Sequence, residues 1–281
     1  LNIIQASDFS GAVSQLTLAA QKLGVTKVFA TRAFDTKGVA EQNQVGLALK
    51  DAGIFLELHD SYYAVAPGTV KKPDGTAYRV YTPFQRNWLA VGWSGPVPTA
   101  TGHRWGIIEG LQEIPQVGEG APFKVVAGEQ FALATWERFK KRALSSYDED
   151  RNRADLSGTS HLSHALAFGE IHPRTLLAEL GDSRAHEVFR KELAWREFYA
   201  DVLWQAPNSY FDFLDPKYAK MRYDQGPVAD ARLRAWQNGQ TGYPMVDAGM
   251  RQLMDTGWMH NRVRMIVASF LVKDLHLEWQ V

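Results

Sequence analysis

Residues 241–279 read TGYPMVDAGMRQLMDTGWMHNRVRMIVASFLVKDLHLEW. The segment opens on a Gly-Tyr-Pro turn at 242–244, and its apolar residues then recur at helical spacing. Gly257 interrupts this pattern, as glycine commonly does at the end of a helix. We predict a second helix that begins at Trp258 and runs to about Leu275. Residues 241–279 therefore predict two helices joined at a glycine.

One face of the second helix carries unusual side chains. Trp258, Asn261 and Met265 are three and four residues apart, so they project from one side of a helix. Arg262 and Arg264 flank them. An indole, an amide and a thioether on one face predict the wall of a pocket for a flat ligand with polar edges. A buried helix with a few polar residues is the alternative that stays open.

Composition limits the function classes. A length of 281 residues suggests about two domains. The 31 basic and 31 acidic side chains give no net charge, which excludes a strongly basic nucleic-acid coat but leaves a local basic patch at 217–234. The chain has no cysteine, hence no disulfide and no cysteine-ligated metal, which fits a reducing compartment; we predict a cytoplasmic monomer. Neither a signal peptide nor an apolar run long enough for a bilayer is found.

The first part of the chain alternates strands and helices. Apolar or β-branched runs at 1–5, 25–30 and 54–58 predict strands, and helical patterns follow Asp8 and cover 39–52. This order predicts a doubly wound α/β layer with a parallel sheet. No Gly-x-Gly-x-x-Gly turn follows any of these strands, so a standard dinucleotide site is not supported. A further short helix is predicted to start at Thr82-Pro83.

Three segments are expected. Residues 1–92 form the α/β domain, 93–128 are a linker with aperiodic glycines and prolines, and 129–281 form an all-α domain. The chain begins inside a strand-like run and ends at Val281, just after a helix. We therefore expect a fragment, in which both domains are incomplete.

A hydroxyl cluster precedes a predicted helix. Gly158, Thr159, Ser160 and Ser163 stand where that helix should begin, and hydroxyls with free N–H groups there suit a phosphate. A capped helix without ligand is the alternative. Nearby histidines lack a third ligand at a recognisable spacing, so no metal site is predicted.

The helix predicted at 187–205 is the second informative element. Glu192, Trp195 and Tyr199 share a face, with Arg196 and Glu197 beside them. A carboxylate next to an indole suits a base-like ligand, which would stack and donate N–H groups. An aromatic core stripe is equally compatible with this spacing. No Gly-x-Ser-x-Gly turn and no Walker phosphate loop is present.

Four motifs together resemble the photolyase/cryptochrome family of blue-light flavoproteins, and specifically the class I cyclobutane pyrimidine dimer photolyases. The motifs are Gly158-Thr159-Ser160-x-Leu162-Ser163, Glu192-Leu193-x-Trp195-Arg196-Glu197-Phe198-Tyr199, Ala235-Trp236-x-x-Gly239-x-Thr241-Gly242-Tyr243-Pro244 and Trp258-Met259-His260-Asn261-Arg262-x-Arg264-Met265. Their order and spacing are specific, and the resemblance covers the chain, more weakly in the α/β part.

The resemblance implies an antenna-type α/β domain and a helical domain that holds a U-shaped FAD. Light-driven electron transfer from reduced FAD would split a pyrimidine dimer flipped out of DNA. The residues it assigns to FAD phosphate and ribityl contacts are Tyr147, Thr159, Ser160, His161, Leu162 and Ser163, with Arg264 paired to an acidic residue near the flavin. Lesion contacts would be Glu192 and Trp195 on one wall of the cavity and Asn261 and Met265 on the other. DNA-backbone or cavity-rim residues would be Arg151, Arg196, Tyr199 and Arg262.

The resemblance also implies an electron-transfer chain and a second chromophore. Trp279 corresponds to the middle tryptophan of the chain, and Tyr223 stands where an outer tryptophan is common. The identity of the antenna chromophore stays open. Thr76-Ala77 replace the acidic residue of folate-binding members, so no folate site is predicted. Alternatives are a cryptochrome-like photoreceptor, a (6-4) photolyase, which places two histidines at Asn261 and Met265, and a non-catalytic nucleic-acid-binding module.

Overall fold

A computed structural model describes residues 6–59, 62–98, 101–102 and 126–280. The strand predicted at 1–5 and most of the predicted linker lie outside these ranges. The α-helices and strands are α1 Phe9–Lys22, β1 Lys27–Thr31, α2 Thr36–Asp51, β2 Phe55–His59, α3 Tyr81–Val91, α4 Glu129–Arg142, α5 Tyr147–Asp150, α6 Ser163–Phe168, α7 Pro173–Ala178, α8 Arg184–Gln205, α9 Pro227–Gln237, α10 Pro244–Thr256 and α11 Asn261–Lys273.

The described chain divides into two compact units. The first contains the described residues up to 102 together with His172–Leu180 and Arg190–Pro207. The second contains the described residues from 126 to Ile171, Gly181–Phe189 and the chain from Asn208 onward. Helix α8 therefore contributes residues to both units.

The first unit contains the parallel strand pair that the sequence predicts. β1 and β2 pair in parallel, with Lys27 opposite Phe55 and Thr31 opposite His59. Helix α1 is capped by Asp8, as expected from its position. Alternation of strand and helix thus produces an α/β layer here, and helices dominate the rest of the described chain.

The core of this layer lies between helices α1 and α2 and strand β2. Ala20, Leu49 and Ile54 are its buried members. Gly53 links α2 to β2 at φ 75°, a left-handed conformation that glycine adopts without steric cost.

Helices α10 and α11 confirm the two-helix prediction for residues 241–279 but correct one boundary. Gly257 ends α10 in the left-handed region at φ 69°. Helix α11 begins at Asn261 and not at Trp258, because the His260 side chain occupies the capping position and accepts from the Arg262 N–H. Trp258 therefore lies before the helix and does not share a helical face with Asn261.

Helices α10 and α11 pack closely against each other at Gly249. A Cβ atom added at Gly249 would lie 2.4 Å from a methyl carbon of Val263, which is buried. Only glycine fits there, because a β-branched neighbour in a helix has little rotamer freedom. The buried residues of this core are Val246, Met250, Met259, Val263, Val267 and Phe270.

Asp247 organises the turn that precedes α10. Its carboxylate accepts from the Thr241 N–H at 2.8 Å, from the Thr241 hydroxyl at 2.6 Å and from the Gly242 N–H at 3.0 Å. The Thr241 hydrogen bond is the main cause of a lowered pKa for this carboxyl, and the backbone N–H groups add to it. The Asp247 carboxylate thus provides the hydrogen-bond acceptor for the N–H groups of Thr241 and Gly242, in the turn that precedes α10.

Asp247→Asn is expected to lower the melting temperature by several degrees at neutral pH, because one acceptor becomes an amide donor that faces an N–H. Asp247 has a lowered folded-state pKa, so its contribution is present above the ordinary aspartate pKa of about 4 and is lost as pH falls through the lowered value. In thermal melts from pH 7 down to pH 2, the difference in melting temperature between Asp247→Asn and the parent should become smaller. A gap that is constant with pH would contradict this assignment.

No helix within the described residues is long and apolar enough to cross a membrane.

Candidate functional site

Helix α8 has two chemically different faces in the first unit. Leu193, Ala194, Phe198 and two carboxylates, Glu197 and Asp201, are buried. The predicted ligand-binding residues lie on the other side, where Glu192 and Trp195 are half-buried and Tyr199 is 63% exposed. The structure therefore places the three predicted side chains together on the more accessible face.

The Trp195 indole is held flat by a neighbouring ring. Tyr81, at the start of α3, stacks on it with ring centroids 3.6 Å apart and planes 7° from parallel. The Tyr81 hydroxyl donates to the Lys191 carbonyl oxygen at 2.8 Å, which fixes the phenol on α8. Tyr199 lies 5.7 Å from the same indole, at 25°. The orientation of Trp195 is thus set by packing before any ligand arrives.

Arg196 is predicted to contact DNA, and the structure gives it partners within the first unit. Its guanidinium donates to the Tyr62 carbonyl oxygen at 3.0 Å and lies over the Tyr63 ring, 4.6 Å from the centroid. These contacts tie α8 to the loop after β2. A role toward DNA stays a prediction.

Glu197 is a residue whose importance sequence reasoning missed. Its carboxylate accepts from the backbone N–H groups of Ala64 and Val65, the latter at 3.1 Å, and from the indole N–H of Trp88. Burial raises the pKa of Glu197 to about 7, while these three donors act in the opposite direction. Trp88 itself is completely buried.

Asp201 repeats this arrangement one turn later. One carboxylate oxygen accepts from the Gly68 N–H at 2.6 Å, and the other is buried without a partner among the described residues. Gly68 has φ 81°, and a Cβ atom there would collide with the Trp204 indole. Arg174 adds two donors to the Ala64 carbonyl oxygen, at 3.1 and 2.9 Å. Two acidic side chains and one arginine thus bind the loop at 62–70 to the helices of the first unit.

A signal for these residues was present in the sequence. Glu197 and Asp201 fall four residues apart at positions where the helical period of α8 requires apolar side chains. A carboxylate at a buried helical position must find donors. The backbone donors come from a loop more than 130 residues earlier, and the Trp88 indole comes from α3, 109 residues before Glu197; no local pattern reveals either.

The second unit contains the residues predicted to hold a cofactor. Tyr147 is buried at the start of α5, with its ring 5.2 Å from Phe189 and 5.6 Å from Phe139. The Arg151 guanidinium lies 5.8 Å from the Tyr147 ring centroid. The rings of Phe139 and Phe189 thus hold Tyr147 in place, at the start of the segment that leads to Thr159 and Ser160.

The hydroxyl cluster does not cap a helix as the sequence suggested. Helix α6 begins at Ser163, only six residues long, and the residue in the capping position is Leu162, which makes no side-chain cap bond. A backbone reversal explains the difference, because His161 has φ 55°, a left-handed conformation unusual outside glycine. The hydroxyls of Thr159 and Ser160 precede this reversal.

Thr159 carries the feature that fits a bound group. Its hydroxyl oxygen is buried and has no hydrogen-bond partner among the described residues. Buried hydroxyls normally have a partner, so this atom suits an oxygen of a phosphate or a ribityl chain. Gly158 lies against the backbone of Asp150, where a Cβ atom would be 3.0 Å from the carbonyl oxygen. The segment at 158–160 is thus packed closely against Asp150, and the Thr159 hydroxyl has no hydrogen-bond partner among the described residues.

His161 and Trp258 meet in the second unit although about a hundred residues separate them. Their rings stack at 4.0 Å and 26°. Trp258, predicted on a helical face, instead packs on the segment that carries Thr159. This contact joins two of the four motifs.

Asn261 and Met265 lie one turn apart on the exposed side of α11. Arg262 donates from Nε to the Asn152 side-chain oxygen at 2.9 Å and contacts the Met265 sulfur at 3.5 Å. Arg264 is exposed, and no acidic partner for it exists among the described residues, so its predicted pairing near a flavin stays a prediction. Because Glu192 and Trp195 belong to the first unit, the predicted common cavity also stays a prediction.

The two residues predicted to carry electrons share a neighbour. The Phe213 ring is stacked with Tyr223 at 6.3 Å and 7°, and Trp279 approaches the same ring edge-on at 6.3 Å. Trp279 is 40% exposed. Of the basic residues at 217–234, Lys217 and Arg232 form ion pairs with neighbouring aspartates. No group of three or more possible metal ligands occurs among the described residues.

Comparison with known proteins bears on both units. The family model described as DNA photolyase matches residues 4–101, and the model described as FAD binding domain of DNA photolyase matches residues 189–281. A deoxyribodipyrimidine photo-lyase of Synechococcus sp. is 38% identical over 288 residues, which cover 93% of this chain and 58% of that protein.

Two solved structures have the same fold. A bacterial class III photolyase from Agrobacterium tumefaciens matches with a TM-score of 0.80 and 30% identity, over 96% of this chain and 59% of that one. A cryptochrome from Synechocystis sp. matches with a TM-score of 0.78 and 23% identity, over 95% of this chain and 59% of that one, which shows the fold alone. The chain therefore spans less than two thirds of the length of each of these proteins.

The described chain has an α/β layer followed by helices, and its last part matches an FAD-binding domain. These features define a flavoprotein of the photolyase fold. The chain belongs to the photolyase/cryptochrome family.

Proposed function

We propose that this protein repairs cyclobutane pyrimidine dimers in DNA in a light-driven reaction, as a class I photolyase. The observation that carries the proposal is the Trp195 indole, which Tyr81 holds flat on the accessible face of α8, one turn after Glu192. A fixed ring beside a carboxylate suits a lesion with two flat bases and N–H edges. The relatives' printed name supports the same reaction.

The cofactor of the proposed reaction is FAD, and its contribution is light-driven donation of one electron. The residues of the chain bind the cofactor and the lesion and orient them relative to each other. In the proposal, Thr159 and the residues up to Ser163 bind phosphate and ribityl oxygens, Trp195 stacks on the dimer, and Glu192 accepts from a pyrimidine N–H. Asn261 and Met265 contact the lesion from α11. The partner is damaged DNA with the dimer flipped out, which costs less at a poorly stacked lesion.

A photoreceptor of the cryptochrome type is the second candidate, because the fold is common to both classes. The pair Glu192 and Trp195 favours repair, since sensors of this family often lack one of them. Asn261 and Met265 stand where a (6-4) photolyase has two histidines, which disfavours that substrate. A cytoplasmic monomer and a second antenna chromophore complete the proposal.

Glu192→Ala is expected to reduce light-dependent repair of a thymine dimer in single-stranded DNA by roughly tenfold to a hundredfold, because a charged acceptor for a buried N–H is lost. The measurement is dimer content after a fixed light dose, with FAD present. Glu187→Ala, in the first turn of the same helix, is the matched control and should repair at the parental rate. Flavin binding without repair in the parent chain would favour the photoreceptor.

A further inference from the structure

The imidazole of His260 presents an unsatisfied donor in the second unit. The residue is 1% exposed, and its Nδ1 accepts from the Arg262 N–H at 3.1 Å. A neutral imidazole that accepts at Nδ1 carries its proton on Nε2. Burial, together with the charge of Arg262, lowers the pKa of His260, so the ring is neutral at physiological pH. Nε2–H is therefore a buried donor of defined direction.

Among the residues that the structure describes, this donor has no acceptor. Folded proteins rarely leave a buried polar atom without a partner, because the group has lost its water and gained nothing in exchange. The capping bond at Nδ1 fixes the ring, so Nε2 cannot turn away to find another partner. An acceptor from outside the described chain is the simplest way to satisfy it.

The surroundings of His260 indicate which acceptor this is. Its ring lies 6.2 Å from Trp258, edge to face, and Trp258 stacks on His161. Thr159, two residues before His161, carries the other unpaired buried donor of this region. Each of the two unsatisfied polar atoms thus lies two residues from one ring of the stacked pair, Thr159 from His161 and His260 from Trp258. Thr159 belongs to the segment already proposed to bind phosphate and ribityl oxygens.

We propose that His260 is a cofactor-binding residue whose Nε2–H donates to an oxygen of the bound FAD, next to the contact made by Thr159. The inference rests on the FAD site of the proposed function but not on the repair reaction. His260 would then have two roles on one ring: Nδ1 begins helix α11, and Nε2 binds the cofactor. The start of α11, which carries Asn261 and Met265, would be fixed in part by the flavin.

Two substitutions separate these roles. His260→Asn keeps a side-chain oxygen that can cap α11, since asparagine is a preferred cap, but it has no donor at the Nε2 position. His260→Gln places an amide N–H near the Nε2 position but loses the short-range cap. We expect His260→Asn to raise the FAD dissociation constant about tenfold with an unchanged melting temperature of the cofactor-free chain. His260→Gln should lower that melting temperature and change the dissociation constant by less than about threefold.

The probe is FAD itself, titrated into the cofactor-free 281-residue chain and followed by flavin fluorescence and by equilibrium dialysis. FAD affinity equal to that of the parent in His260→Asn would overturn the proposal, because water would then satisfy the donor. A larger loss in His260→Gln than in His260→Asn would also overturn it, since the helix cap, which His260→Asn keeps, would then be the only role of His260. FAD binding with the expected pattern but without dimer repair would support this inference and contradict the proposed reaction.

Discussion

Glu197→Ala is expected to lower the free energy of unfolding by about 3–5 kcal/mol, because it leaves three buried donors without an acceptor. The donors are the N–H groups of Ala64 and Val65 and the indole of Trp88, and none of these residues is more than 7% exposed. Water cannot reach them without opening the loop at 62–70. Urea unfolding followed by tryptophan fluorescence measures the loss, and Trp88 reports on the site directly.

The control is Glu192→Ala, the same change five residues earlier on the accessible face of α8. It should cost less than about 1 kcal/mol of stability while it reduces repair by roughly tenfold to a hundredfold. The two variants together separate a carboxylate that holds the fold from one proposed to act on the lesion. Equal stability losses in the two variants would show that Glu197 does not anchor the loop.

The pH dependence gives a second test of the same carboxyl. The folded-state pKa of Glu197, about 7, lies above the ordinary glutamate value, so the folded state binds its proton more tightly than the unfolded state does. Stability attributable to this group is therefore full below pH 4.5 or so and falls as pH rises toward about 7. Glu197→Gln cannot ionise, so the stability difference between parent and variant should change over this interval. A difference that stays flat from pH 4 to pH 8 would contradict the raised pKa.

Trp195→Ala is expected to weaken binding of a dimer-containing single strand by about a hundredfold in the dark. Stacking on an aromatic side chain is worth roughly 1–3 kcal/mol per base, and the dimer presents two bases. The measurement is fluorescence anisotropy with damaged and undamaged strands of one sequence. Affinity for the undamaged strand should change little, because the proposed ligand of this indole is the dimer.

Tyr81→Leu provides the matched intermediate. It removes the ring that holds the indole at 3.6 Å but leaves Trp195 in place. We expect a smaller loss of affinity than in Trp195→Ala. In Tyr81→Leu the indole is still present, and the complex loses only the conformational entropy needed to order a more mobile indole. Circular dichroism checks that α8 is intact in both variants. Equal losses for damaged and undamaged DNA would show that Trp195 has only a structural role.

Local patterns predicted the elements of this chain well. The strand at 54–58, the glycine at 257 and the helix around 187–205 follow from apolar period and helix-breaking residues, which act over a few neighbours. The start of α11 was misplaced by three residues, because Trp258 and Met259 fit a helical pattern while the His260 side chain sets the cap. The helix predicted to begin among the hydroxyls begins at the last of them, Ser163, and Thr159 and Ser160 lie before it because His161 reverses the backbone there.

By itself, the sequence predicted the α/β-then-helical order, because that order depends on the apolar period along the chain. The family and the candidate residues came from the resemblance of four sequence motifs to known photolyases. Tertiary structure alone decided which carboxylates are buried, since the donors to Glu197 and Asp201 lie in a distant loop and, for the Trp88 indole, on helix α3. It also decided that Tyr81 holds Trp195 and that His161 meets Trp258. The physical reason is the same in each case: burial and hydrogen-bond partnership are properties of contacts between distant residues, and no local pattern contains them. The segment 241–279 illustrates both cases. Its two helices follow from local sequence pattern, whereas the burial of His260, which leaves its Nε2–H without an acceptor among the described residues, depends on contacts with distant parts of the chain.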